Sequence, residues 1–138
     1  MRIGVPKEIK VEEYRVGLTP ASVREYVAHG HEVVVQRGAG DGIGAGDDVY
    51  SQAGARIADT AEEVFSVAEM IVKVKEPQPQ EVAMLRPHHL LFTYLHLAPD
   101  PEQTEALVKP WASTTWDIGR EFGTIGAQRG DVKVEITT

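Results

Sequence analysis

Arg15, Lys75 and His96 are the side chains of this sequence whose types and placement could do chemistry together. They stand in Glu13-Tyr14-Arg15-Val16, Val72-Lys73-Val74-Lys75-Glu76-Pro77 and Leu91-Phe92-Thr93-Tyr94-Leu95-His96-Leu97. Each lies at or just past a segment that reads as buried or half-buried structure. A guanidinium forms two parallel hydrogen bonds to a carboxylate and fixes its plane as well as its charge. An imidazole exchanges a proton near neutral pH. With an ammonium beside them, the three would clamp a small 2-oxo or 2-amino acid and move a proton on it.

Each residue also has a plainer reading. Arg15 could pair at the surface with Glu12 or Glu13, since exposed ion pairs are common. Lys73 and Lys75 alternate with Val72 and Val74, so both face one side of a strand. There they would guard a sheet edge, or Lys75, at the carboxyl end, would reach a ligand. A single histidine at His96 is compatible with a structural role. Three such positions at strand ends tip the balance towards function, because loops after the carboxyl ends of parallel strands are where such sheets bind ligands.

Two other groups invite chemistry and carry less. His88, His89 and His96 match neither a helical pair one turn apart nor a tetrahedral set with cysteine, so no metal site is expected. Gly38 to Gly46 contains the loose pattern Gly40-x-Gly42-x-x-Ala45 after a strand. A dinucleotide fingerprint needs that turn to open a long helix whose first amides meet the pyrophosphate. Only Asp47 to Ala53 follows, and Asp47 and Asp48 would repel a phosphate. The stretch reads as a surface loop, with no cofactor-binding residue in it.

The elements that must position these residues follow from periodicity and punctuation. Ile3 to Val5, Glu32 to Gln36, Ile71 to Lys75 and Leu90 to Leu95 read as short strands bounded by Gly or Pro. Thr19 caps a helix with Pro20 at its first position, and Gly30 closes it after His29. Thr60 with Glu63 makes a capping box, and Asp100, Pro101 and Gln103 give a third helix start. Strands alternating with helices predict an α/β fold: a mostly parallel sheet with helices on both faces, Rossmann-like or flavodoxin-like. The apolar strands suit a sheet buried on both sides. After Pro110 the pattern weakens. Residues 111–138 read as a poorly specified extension or a displaced edge strand, with only Val132 to Thr138 alternating like a strand.

Composition sets the outer bounds. At 138 residues the chain suits one domain, and one of this size buries roughly two-thirds of its unfolded surface. A net charge of −7, from 14 basic and 21 acidic residues, argues against nucleic acid or an anionic membrane as partner. The sequence has no cysteine, which excludes disulfides and thiolate chemistry. No signal peptide or apolar stretch of about 18 residues is evident, so the expected compartment is the cytoplasm.

Taken together, these segments resemble the amino-terminal part of alanine dehydrogenase and the related domain of proton-translocating nicotinamide nucleotide transhydrogenase. The pieces that carry the resemblance begin with Met1-Arg-Ile-Gly-Val-Pro-Lys-Glu8, Arg15-Val-Gly-Leu-Thr-Pro20, Gly30-His-Glu-Val-Val-Val-Gln36 and Gly38-Ala-Gly40. They continue through Ala53-Gly-Ala55, Val72-Lys-Val-Lys-Glu-Pro77 and Leu91-Phe-Thr-Tyr-Leu-His-Leu-Ala98. Val74-Lys75-Glu76-Pro77 and Tyr94-Leu95-His96 have the dehydrogenase form. The resemblance implies that Arg15 and Lys75 bind the substrate's carboxylate and carbonyl oxygen, with Lys75 and His96 as catalytic residues and His96 the acid–base group. It implies oxidative deamination of L-alanine to pyruvate and ammonia with NAD, in a homo-oligomer.

It also implies a boundary. Residues 1–108 would be the substrate domain and 109–138 a divergent tail, with the nucleotide-binding domain missing. On that expectation the chain is truncated and inactive alone. A transhydrogenase alpha-subunit fragment and a non-catalytic module for carboxylate binding or oligomerisation are the alternatives.

Overall fold

The structure is a computed structural model and describes residues 1–94, 108–119 and 124–136. The chain divides into two compact units, Met1–Tyr94 and Leu95–Thr138. In the first, strands β1 (Arg2–Val5), β2 (Glu32–Gln36), β3 (Arg56–Ala58), β4 (Met70–Val72) and β5 (Leu90–Phe92) form one sheet in the order β3-β2-β1-β4-β5. Every pairing is parallel. The helices are α1 (Pro20–Ala28), α2 (Asp47–Gln52), α3 (Ala61–Val67) and α4 (Pro79–Val82).

Strand alternation sorts the core onto two faces. Ile3, Val5, Val33, Val35 and Val72 pack with Val23 of α1 and Tyr50 of α2. On the other face Val34 meets Val64 of α3, and Ile71 packs with Phe65 and Ala68. Helices therefore cover both sides, as an apolar parallel sheet requires. The helix starts are set locally. Thr19 Oγ1 accepts from the Ser22 amide at 3.3 Å with Pro20 at the first turn, and the chain turns away at Gly30, φ 79°. Thr60 Oγ1 accepts from the Glu63 amide, but the return arm from Glu63 Oε2 reaches the Asp59 amide at 3.1 Å, one residue before the cap.

Three expectations need correction. β4 ends at Val72, so Lys73 and Lys75 do not alternate along a strand. β4 also lies between β1 and β5, which removes the sheet-edge explanation for its lysines. β5 is the edge strand and stops at Phe92, with Leu90 and Phe92 exposed rather than buried. β3 and α4 were not anticipated, being three and four residues long.

The second unit contains more order than its glycine-rich sequence suggests. Strands β6 (Thr114–Gly119), β7 (Thr124–Arg129) and β8 (Val132–Ile136) form an antiparallel sheet in sequence order. β8 is the strand expected near Val132, and it is joined by two others. Ile125 and Ala127 are buried, and Trp116 stands opposite Gly126 across the β6–β7 pair. The expected helix start at Asp100 to Gln103 lies outside the described residues.

Candidate functional site

The order of the sheet makes a crevice. From β1 the chain leaves towards α1 on one face. From β4 it leaves through α4, next to Met84 and Leu85, which pack on the other face. Between two such strands the carboxyl ends open, and this is where doubly wound sheets take ligands.

The floor of the crevice is an ion triad. Lys73 is fully buried, with its Nζ 3.1 Å from Glu8 Oε2 and 2.7 Å from Glu81 Oε1. Glu8 Oε1 accepts from the Val74 amide at 2.6 Å, and Glu81 Oε2 from the Gln78 amide at 2.8 Å. Each carboxylate oxygen thus has a donor, the condition under which buried charge is tolerated. The triad joins the segment after β1 to that after β4 and to α4.

Above it runs the loop from Pro6 to Thr19. Gly17 allows this loop to lie on the end of β4, since a Cβ there would run into the Val72 carbonyl. Lys10 pairs with the buried Glu76, adding a second tie to the segment after β4. Glu12 takes a left-handed backbone, φ 63°, an uncommon and mildly strained conformation for a non-glycine residue. Immediately after it, Glu13 turns inward, its side chain only 4% exposed. Its carboxylate accepts from the Arg15 amide at 2.9 Å, Arg15 Nε at 2.8 Å and Arg15 Nη2 at 2.6 Å. Hydrogen bonding from Arg15, with the charge of Lys75 adding to it, lowers the Glu13 pKa to about 2.

Arg15 itself is 64% exposed and lines an open cleft of about 410 Å³. Lys7, Glu8, Glu13 and Tyr14 form one side, and the stretch from Gly38 to Gly42 closes the other. Gly42 lies against the backbone of Tyr14 where any Cβ would collide with the Tyr14 carbonyl. The volume is in the range of small-molecule sites.

The expected residues are therefore placed as follows. Arg15 is in the cleft and does pair with Glu13, a half-buried residue whose side chain is turned inward. Lys75 is half-buried outside the cleft lining, near enough to Glu13 for its charge to act there. Its carbonyl accepts from Thr93 Oγ1 at 2.8 Å, which ties it to the segment after β5. His96 lies outside the described residues. Sequence reasoning missed Glu8, Glu81 and the burial of Lys73. The available signals were Glu8 directly after β1 and Glu81 three residues past Gln78, the acceptor position of a helix start.

The glycine-rich loop does not fit a dinucleotide. Asp47 Oδ1 already accepts from the Gly38 amide at 2.8 Å, which puts a carboxylate where a pyrophosphate would need free amides. The helix that follows has six residues. Among the described residues no group of three or more His, Asp or Glu is arranged to hold a metal, and no helix is long and apolar enough to cross a membrane.

The alanine dehydrogenase/PNT N-terminal domain family matches residues 4–115, most of the chain. The chain belongs to that family. It is 54% identical over 108 residues to an alanine dehydrogenase from Methanococcus maripaludis, covering 78% of this chain and 29% of the relative. With an alanine dehydrogenase of Bacillus subtilis it shares 50% over 107 residues, covering 78% and 28%. Among solved structures, an L-alanine dehydrogenase superposes with a TM-score of 0.75 at 51% identity, over 79% of this chain and 30% of that one. A transhydrogenase from Sinorhizobium meliloti superposes with 0.73 at 30% identity, over 78% and 31%. The chain thus spans about three-tenths of the length of the relatives it matches.

Proposed function

We propose that the crevice beyond β1 and β4 is the small-carboxylate half of an alanine dehydrogenase site. One observation carries the reading. Arg15 is held by Glu13 along one edge of its guanidinium and keeps the rest of it exposed in an open cleft, with Lys75 near enough for its charge to act on the same carboxylate. A small 2-oxo acid supplies a carboxylate that the exposed guanidinium matches in charge and plane.

In this reading Arg15 holds the carboxylate and Lys75 the carbonyl oxygen. His96 gives and takes the proton. Residues 1–108 act as the substrate domain. The activity is interconversion of L-alanine with pyruvate and ammonia, for which NAD supplies the hydride chemistry from a nucleotide-binding domain of its own. This chain's residues bind, orient and exchange protons. A homo-oligomer in the cytoplasm goes with the reading. Identity supports the dehydrogenase over the transhydrogenase, at 51% against 30% for the two solved structures.

The test is calorimetric titration of the 138-residue chain with pyruvate and with pyruvamide, its uncharged analogue. Saturable binding of pyruvate and none of pyruvamide is expected. Equal binding of the two would overturn the reading.

A further inference from the structure

The Glu13–Arg15 contact has a geometry that a chance surface pair lacks. Glu13 grips Arg15 by Nε and Nη2, the side edge of the guanidinium, and among the described residues Nη1 has no partner. The same carboxylate accepts from the Arg15 amide, so it is fixed to the backbone it orients. Glu13 is 4% exposed whereas Arg15 is 64% exposed, so the held edge faces inward and the arginine stays accessible in the cleft. Arginine has five donors in a rigid fork, enough to serve two carboxylates at once.

We propose that Glu13 is a positioning residue, holding the Nε–Nη2 edge of Arg15 so that its Nη1–Nη2 end is presented to a small planar carboxylate. The proposal rests on the reading of the cleft given above. The opposite role, in which Glu13 mimics substrate and must be displaced from Arg15, is disfavoured by the hydrogen bonds it would lose. A displaced Glu13 would give up both side-chain donors and keep only the Arg15 amide, for a carboxylate whose side chain is 4% exposed. Orientation by Glu13 instead removes rotamer freedom from Arg15 before a ligand arrives, which strengthens binding without a new contact.

A double-mutant cycle on the 138-residue chain separates these roles, with pyruvate as the probe. Glu13→Gln keeps the shape and removes the charge, and is expected to weaken pyruvate binding roughly tenfold. In an Arg15→Lys background, where there is no fork to orient, the same change is expected to alter binding less than about twofold. Unchanged or tighter binding in Glu13→Gln overturns the proposal, and so does an equal loss in both backgrounds, which would mark a scaffold role. If Arg15→Lys alone binds pyruvate like the unsubstituted chain, the carboxylate reading of the cleft fails first, and the proposal with it. Should Glu13→Gln not fold, the carboxyl carbon resonance of Glu13 in the unsubstituted chain decides. It stays in place on saturation with pyruvate if Glu13 orients Arg15, and moves if Glu13 is displaced.

Discussion

Lys73 and Arg15 stand in one crevice and are both held by glutamate, but they differ in what is left over. Lys73 sits between Glu8 and Glu81 with no exposed surface, and each carboxylate oxygen around it has a donor. Arg15 is held on one edge by one half-buried glutamate, and the rest of it faces the cleft. Saturation makes the first cation part of the scaffold, where a change shows as lost stability. Partial occupancy leaves the second available for the binding role proposed above, and a change there is expected to show as lost affinity. Sequence spacing gives no hint of this division, since the glutamates that hold Lys73 lie 65 and 8 positions away.

The largest effect expected from breaking this contrast is on the buried side. Lys73→Met leaves two carboxylates without their common cation and is expected to cost about 3–5 kcal/mol of stability. Denaturant titration checks it, and a cost below about 1 kcal/mol would mean that the triad is not closed to water. A smaller effect is expected where the two regions are joined. Tyr50 is fully buried and its hydroxyl donates to the Leu18 carbonyl at 2.8 Å, in the loop that carries Arg15. Tyr50→Phe is expected to lose about 1–2 kcal/mol by leaving that carbonyl unpaired. Weaker pyruvate binding in the same variant would show that the loop's anchorage matters to the cleft.

The smallest effects are those of pH, and they have separable windows. The Glu13 pKa falls from 4.5 to about 2 on folding, so its contribution to stability is complete above about 4.5 and is lost as pH falls through about 2. The Glu13–Arg15 contact is therefore constant between pH 5 and 8. His89 behaves differently. Burial, with His88 and Arg86 nearby, holds its pKa below the usual 6.5, and its Nδ1 accepts from the Arg86 amide. The unfolded chain takes up this proton more readily, so stability is expected to decline as pH drops below 6.5. His89→Gln is expected to flatten the melting temperature between pH 7 and 5, and an unchanged slope would assign it to other groups.

What was legible in the sequence was local. Thr19 with Pro20 and Thr60 with Glu63 mark helix starts because cap chemistry is settled within four residues. The apolar runs of β1 and β2 mark strands because burial on both faces leaves no polar alternation. What was not legible depends on distant partners. Lys73 meets Glu8 across 65 positions, and no periodicity reports that. The course of the loop that carries Arg15 depends on Gly17 and Gly42 letting backbone approach backbone at Val72 and Tyr14. In the second unit, Gly130-Asp131 between β7 and β8 is a two-residue hairpin signal, with Gly130 at φ 57°. It was obscured by the other glycines around it.

The difference between the two cations is tested most directly at Arg15. Pyruvate affinity and thermal unfolding of the unsubstituted chain would be compared with those of Arg15→Lys, which keeps the charge and loses the fork. Affinity is expected to fall roughly ten- to a hundredfold, with stability unchanged to within about 1 kcal/mol. Unchanged affinity would remove Arg15 from the site and contradict the assignment of the crevice.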